Sequence, residues 1–449
     1  MPPRCSCPVV QEREVSPFFG ESDKVKILVI SYHYSFSDST GSLRPRAMAK
    51  YLPQYGIEVA VLTYRAQHEK VSFVDNMIGV KDVTRDTVPL PIYYAWRIRQ
   101  YGLCVLGFHR GVNEYWRDAA LIRVDEIIER IHPDAILASY PTAEALEIGV
   151  AFSERHRLPL ISDFRDGLLF EPLETAALQH KATRRYYEVL EARVVAASKL
   201  ILTVSDPIST YFRERYAHQN VMTLHNGYDP SDVVADSSVE LPADVINIVH
   251  TGRLGMSRID ISGKGMGVDA LSAALHMLLE RSPETARKVQ LHFVGQLTTA
   301  EKKRLAPLVE KGMVTLWGHK PRSMALGFQH KADILLLITA PDKASIATGK
   351  LFEYLAANKP ILALTRGTEA ARIVNDTGAG VVVSPEDPEE IAGAIEGILR
   401  HDGVLFGGRN EKSVSEFSRD RQMERLASML KGVLRGYHHE SENVFGSTS

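Results

Sequence analysis

Cysteine is scarce in this chain. Its 449 residues contain three, Cys5, Cys7 and Cys104. Three thiols cannot build a disulfide framework, and two of them fall in an expected tail, so a reducing, cytoplasmic setting is expected. Cys5-Ser6-Cys7 has no His or Cys cluster beside it, and no metal site is assigned there. Long apolar runs are also missing. No stretch of about 18 apolar residues occurs, so no transmembrane helix is expected. Residues 1–23 lack a continuous apolar core, which argues against a signal peptide. Charge of one sign is absent too: the formal net charge of −2 argues against a dedicated nucleic-acid binder. The loop after the first expected strand, Tyr32 to Pro45, carries no G-x-G-x-x-G, which counts against a nicotinamide or flavin cofactor there.

What is present is an ordinary globular composition, 45% apolar and 24% charged, long enough for two or three domains. Short β-branched runs alternate with helical patterns. Strands are predicted at 26–31, 58–63, 134–139, 158–163, 199–204 and 221–224, with helices near 44–54, 142–155, 183–197 and 206–215 between them. Asn226-Gly227-Tyr228-Asp229-Pro230 breaks the pattern, and a polar stretch follows to residue 244. Alternation restarts with strands predicted at 245–251, 290–294, 314–317, 333–338, 360–364 and 380–384. This is the signature of two doubly wound parallel sheets. The expected layout is a tail over 1–23, a first Rossmann-like domain over 24–229, a linker over 230–244, a second domain over 245–412, a helix over 413–434 crossing back to the first domain, and a tail over 435–449.

The most informative stretch is Thr348-Gly349-Lys350-Leu351-Phe352-Glu353, which opens a helix predicted to stop at Asn358 ahead of Pro360. It follows a buried strand, so its start lies at the carboxyl edge of a parallel sheet, where doubly wound folds bind ligands. Thr348 can cap this helix, Gly349 lets a ligand approach the backbone, and free N–H groups there attract phosphate. Lys350 adds a cation, and Glu353 is placed to reach a sugar hydroxyl. Gly252-Arg253 ends the first strand of the second half, and Lys264 precedes the next helix. Two such cations beside a helix start suit a diphosphate. Trp317 and His319 follow another strand at the same edge. They are candidates to bracket a base, and Trp317 fits a core role equally well. In the first half Gly41-Ser42 sits before a helix expected near Arg44, and its small side chains would admit a ligand. Arg165 and Asp166 follow the fourth strand as cleft-facing candidates, or as a structural ion pair.

In order and spacing these motifs resemble the GT-B-fold retaining glycosyltransferases of glycosyltransferase family 4, from Lys24 to about Leu434. Gly41, Ser42 and Arg44 resemble the family's first acceptor-side loop, and Asn226-Gly227-Tyr228-Asp229 its N-G-x-D. Gly252-Arg253 with Lys264-Gly265 resembles its phosphate-binding Arg and Lys. Thr348-Gly349-Lys350 through Tyr354 resembles the subgroup pattern P-[SG]-K-x-x-E-Y. Members commonly carry E-x7-E; Glu353 matches the second Glu, and Ser345 stands at the first, which usually contacts the donor sugar. Arg165 stands where several members place a cleft His.

The resemblance implies two Rossmann-like domains facing across a cleft. It implies transfer of a sugar from a nucleotide-sugar donor, a UDP- or GDP-sugar, to an acceptor that is a glycan, a lipid-linked molecule or a small molecule. It implies retention and no required metal or cofactor. Arg165, Asp166, Arg253 and Lys264 are the catalytic candidates. Gly41, Ser42, Gly252, Arg253, Lys264, Trp317, His319, Ser345, Thr348, Gly349, Lys350, Leu351 and Glu353 are the candidates for binding the donor. Alternatives of the same fold are a nucleotide-sugar epimerase and an inactive nucleotide-sugar-binding protein. Residues 91–123 combine Tyr93, Tyr94, Trp96, Phe108 and Trp116 with five arginines, a composition able to touch an anionic membrane surface peripherally, or to be ordinary buried aromatics beside solvated arginines.

Overall fold

The computed structural model describes residues 25–34, 40–64, 77–84, 87–105, 113–172, 180–217, 220–229, 231, 235–254, 268–340, 343–400 and 408–446. Lys264, Phe108 and Arg110 lie outside these residues.

Two parallel sheets form the framework. The first contains β1 (Val25–Ile30), β2 (Ile57–Tyr64), β3 (Met77–Val80), β4 (Ala135–Tyr140), β5 (Leu160–Phe164), β6 (Ser198–Thr203) and β7 (Val221–Thr223), in the order β3-β2-β1-β4-β5-β6-β7. The second contains β8 (Ile246–Thr251), β9 (Val289–Val294), β10 (Val314–Leu316), β11 (Ile334–Ile338), β12 (Ile361–Leu364) and β13 (Gly380–Val383), in the order β10-β9-β8-β11-β12-β13. This is the expected α/β class. Strand order reverses between β1 and β4 and between β8 and β11, so each sheet opens a crevice at its carboxyl edge beside its first strand.

Period-two alternation explains how the first sheet is covered. Leu28 and Ile30 face one apolar cluster, whereas Ile27 and Val29 face another. The second cluster is completed by Met423, Leu426, Ala427, Leu430 and Leu434, spaced three and four apart on the last helix, Arg419–Gly446. That helix leaves the second sheet and packs on the first. Its entry is pinned by a short bridge in which the Tyr228 N–H donates to Phe417 O at 3.1 Å and the Arg419 N–H donates to Tyr228 O at 2.8 Å. Gly227 is required by this crossing, because a Cβ there would stand 2.6 Å from Phe417 O. Lys50 and Asp229 pair at 2.6 Å on the same side.

Several elements differ from the sequence reading. The predicted strand at 314–317 ends at Leu316, and the helix expected near 44–54 begins at Thr40, so Gly41 and Ser42 lie in its first turn. Pro45 lacks an N–H, so the helix cannot satisfy the Gly41 carbonyl in the usual way. Arg165 Nη1 donates to that oxygen instead. β3 and the helices Leu90–Val105, Glu114–Ile122 and Val124–Ile131 were not anticipated. β3 has only four residues, and among the described side chains of Leu90–Val105 Gln100 is the buried one, so no apolar stripe announced that helix. Trp116 is fully buried in the first core. The polar stretch before β8 is docked on the second domain. There Val239 is buried among Phe328 and its neighbours, and the Asp236 N–H donates to Ser323 O at 3.0 Å.

Candidate active site

The two carboxyl edges enclose a cavity of about 460 Å³, walled by Gly41, Arg165, Asp166 and His225 on one side and Ser345, Thr348 and Gly349 on the other. Its floor on the first domain is a buried ion pair. Arg44 reaches Asp163 through Nε at 3.1 Å and Nη2 at 2.6 Å, and Ser139 Oγ donates to Asp163 Oδ2 at 2.9 Å. Such a bidentate, hydrogen-bonded pair holds its geometry without solvent. Arg165 points its guanidinium at the carbonyls of Gly41, Tyr140 and Pro141. It braces the rim through these carbonyls while lining the cavity. Asp166 is different. Among the described residues its carboxylate makes no hydrogen bond, and burial pushes it up to about 6 against the pull of Arg165 and Lys343.

On the second domain, Gly252 has φ 82, a left-handed conformation that favours glycine, and β8 ends there. A Cβ at Gly252 would lie 2.9 Å from Lys350 Cε, and one at Gly295 would lie 2.1 Å from Gly252 O. These two glycines let the Lys350 side chain cross the ends of β8 and β9, where its Nζ donates to the Arg253 carbonyl. Burial pushes Lys350 down to about 8, opposed by Glu353 and Glu301. The Arg253 side chain is exposed, with Nη2 3.3 Å from Gln296 Oε1. Tyr354 locks the helix Gly349–Ala357 to β8 by accepting from the Thr251 N–H at 2.9 Å. Gly349 itself faces open space: nothing stands within 4 Å of the position a Cβ would take.

The other candidates differ in what their side chains can offer. Thr348 holds the cap position, but its side chain makes no capping bond and its hydroxyl has no hydrogen-bond partner among the described residues. The Leu351 side chain is fully buried, and its N–H already donates to Thr348 O at 3.1 Å, so this residue supplies packing and offers no donor group. Glu353 is engaged by Arg322 at 3.1 Å and Gln329 at 3.3 Å, which fixes its orientation. Trp317 is half-buried, packs on Phe328 with ring centroids 4.8 Å apart and donates to His292 Nδ1 at 3.2 Å. His319 is exposed beside it. Ser42 is buried in its helix.

Sequence reasoning missed two contacts across the cleft. Glu171, from the loop after β5, accepts from the N–H groups of Ala344 and Ser345 at 2.8 and 2.9 Å and from Ser345 Oγ at 2.6 Å. His225 Nε2 lies 2.8 Å from Glu369 Oε1, while Arg372 Nη2 lies 2.6 Å from the same oxygen and 3.2 Å from Asp206 Oδ2. Asp206, His225 and Glu369 are close enough to resemble a ligand set for a cation. The Arg372 guanidinium already neutralises that cluster. Neither contact has a local sequence signature, since each joins residues more than a hundred positions apart.

With this geometry in place, comparison with known proteins is direct. Residues 41–227 match the family model described as "Glycosyl transferase 4-like domain", and residues 250–401 match "Glycosyl transferases group 1". The chain belongs to the group 1 glycosyl transferases. No curated protein matches it by sequence. Solved structures share the GT-B fold of this glycosyltransferase at low identity. HepE of Anabaena, in complex with UDP and glucose, is 16% identical, with a TM-score of 0.57 over 91% of this chain and 99% of that one. A glycosyltransferase from Rickettsia africae is 15% identical, with a TM-score of 0.58 over 92% and 99%. The N-terminal domain of trehalose-6-phosphate phosphatase from Candida albicans is 15% identical, with a TM-score of 0.62 over 91% and 97%.

Proposed function

We propose that this glycosyltransferase takes a sugar from a nucleoside-diphosphate donor and transfers it, with retention and without a metal requirement, to an acceptor hydroxyl in the cleft. The observation that carries this reading is the convergence of Lys350 and the Gly252–Arg253 strand end beside the open helix start at Gly349, which lines the cavity. Cations and an unfilled helix start attract a diphosphate and stabilise the charge that builds on it as it leaves. Arg253, Lys350 and Lys264 would neutralise that charge in place of a divalent ion. Residues 24–229 would hold the acceptor and residues 245–412 the donor. Asp166, facing the cavity from the first domain, would orient the acceptor hydroxyl. Uridine is favoured as the base because HepE is described in complex with UDP and with UDP-glucose.

The test is calorimetry with UDP and GDP, followed by release of nucleoside diphosphate from the matching nucleotide sugars with and without candidate acceptors. Binding of one nucleotide and acceptor-dependent release support the assignment. Release of an epimerised sugar nucleotide, or binding without turnover, replaces it with the corresponding alternative.

We also propose a peripheral contact with anionic membrane at the cytoplasmic face. No helix among the described residues is long and apolar enough to cross a membrane. The helix Leu90–Val105 instead exposes Ile92 (56%), Ile98 (72%) and Tyr101 (68%) beside Arg97 and Arg99. Exposed apolar side chains interleaved with arginine suit a lipid headgroup boundary.

A further inference from the structure

We propose that Glu171 is the residue that grips the transferred sugar, so that the acceptor domain itself supplies the carboxylate that reads the donor. This deepens the nucleotide-sugar reading above and rests on it.

The loop that carries Glu171 is built to deliver it. Gly167 turns the chain so tightly that a Cβ there would stand 1.6 Å from Phe170 O. Phe170 then stacks on Tyr211, with ring centroids 5.2 Å apart and an interplanar angle of 28°. Glu171 follows with φ 46, a conformation uncommon outside glycine. Its carboxylate crosses to the second domain and receives the Ala344 N–H, the Ser345 N–H and the Ser345 hydroxyl. Lys343 Nζ donates to Pro172 O at 3.0 Å and holds the next residue of the same loop.

Position then decides the role. Glu171, Ser345, Thr348 and Gly349 wall one cavity. A diphosphate at the Gly349 helix start leaves its sugar immediately beside that point, against Ser345 and Glu171. A sugar offers mainly hydroxyl donors, and a carboxylate has about four lone-pair sites, of which the three bonds above use three. The remaining acceptor site of this carboxylate, on the wall of the cavity, can take a hydroxyl of a neutral hexose. The residue at 345 must be small and uncharged for this to work. A carboxylate there would meet Glu171 head on, so Ser345 and Glu171 are complementary choices. The same logic disfavours a donor whose sugar is itself a carboxylate, through like-charge repulsion.

The experiment uses the full chain and compares UDP, UDP-glucose and UDP-glucuronate, with GDP and GDP-mannose in parallel, by calorimetry. For whichever base binds, Glu171→Ala and Glu171→Gln are expected to weaken the nucleotide sugar about tenfold while changing the bare nucleotide less than about twofold. The double change Glu171→Ala with Ser345→Glu returns a carboxylate to the same contact from the other side and is expected to recover part of the loss. Where uridine is the base, wild type should bind UDP-glucose more tightly than UDP-glucuronate. If the variants weaken nucleotide and nucleotide sugar alike, Glu171 is a domain clasp and the proposal is wrong; an unchanged ratio of the two affinities overturns it equally. If wild type binds neither UDP nor GDP, the nucleotide-sugar reading itself fails. Glu171→Gln preserves size, so a folding defect in the alanine variant leaves the test intact.

Discussion

The side chain of Lys350 lies across Gly252, so close that a Cβ on the glycine would stand 2.9 Å from Lys350 Cε. Two separate demands meet at that glycine, its φ of 82 and the room it leaves for the lysine. Gly252→Ala should cost roughly 1–3 kcal/mol in backbone strain. It should also displace Lys350 from the strand end and weaken nucleotide binding. Thermal unfolding and nucleotide titration of the variant measure the two effects separately. Unchanged nucleotide affinity would show that Lys350 does not need this crossing.

Burial holds Lys350 down to about 8, although Glu353 and Glu301 act to raise it. A bound diphosphate would stabilise the charged form and restore a higher value. Nucleotide binding above about pH 8 must therefore take up a proton, and affinity should fall roughly tenfold per pH unit there. Calorimetry in buffers of different ionisation heat reads that uptake directly. Lys350→Gln should bind weakly with no such slope, whereas a wild-type affinity independent of pH would contradict the placement.

Arg253 offers an exposed guanidinium at the same edge, and Lys264 is the third cation assigned to the diphosphate. Replacing either with Ala should lower turnover roughly 10- to 1000-fold, the magnitude of a lost transition-state charge partner. The loss should fall more on turnover than on acceptor affinity, because the charge is largest as the diphosphate leaves. Near-wild-type turnover in either variant removes that residue from the site.

The helix Leu90–Val105 gives a prediction of a different kind. Sedimentation with vesicles containing about a third phosphatidylserine should carry the protein down, and neutral vesicles should not. Replacing Ile98 and Tyr101 with Ser should abolish the difference, because the two side chains are 72% and 68% exposed and support no core. Equal recovery with neutral and anionic vesicles would dispose of the membrane contact.

The fold was legible because its signals are local. Short apolar runs such as Ile334–Ile338, buried along its whole length, read as central parallel strands. Gly252 and the Thr348–Lys350 segment were legible for the same reason, since a strand end and a helix start are fixed by neighbours in sequence. The partners of Arg165 were not legible because they are backbone carbonyls, which no side-chain pattern reveals. Glu171 was invisible because its meaning depends on a loop conformation and on Ser345, 174 positions away. The absence of Glu at 345 was the available clue. It read as a deficit in one domain, whereas the structure supplies the carboxylate from the other.

The remaining prediction concerns how the two domains are held together. Burial alone would raise the Glu369 carboxyl, but hydrogen bonds from His225 and Arg372 outweigh it and hold the group at about 2, below its ordinary 4.5. A carboxylate depressed in the folded state contributes its full stabilisation above its unfolded value, near 4.5, and loses it as pH falls through about 2. The depression corresponds to roughly 3 kcal/mol, an order-of-magnitude figure for a side chain only 2% exposed. His225 belongs to the first domain, whereas Glu369 and Arg372 share one helix of the second, so the His225 share of that loss falls on the contact between domains. Between about pH 5 and pH 2 the wild type should therefore loosen, detected as growth in radius of gyration before secondary structure is lost. Glu369→Gln should be less stable at neutral pH, by about 3 kcal/mol, and should lack that acid-dependent expansion. An identical scattering profile for wild type and variant across the range would mean that other contacts, with Glu171 and Ser345 foremost, keep the cleft closed without this cluster.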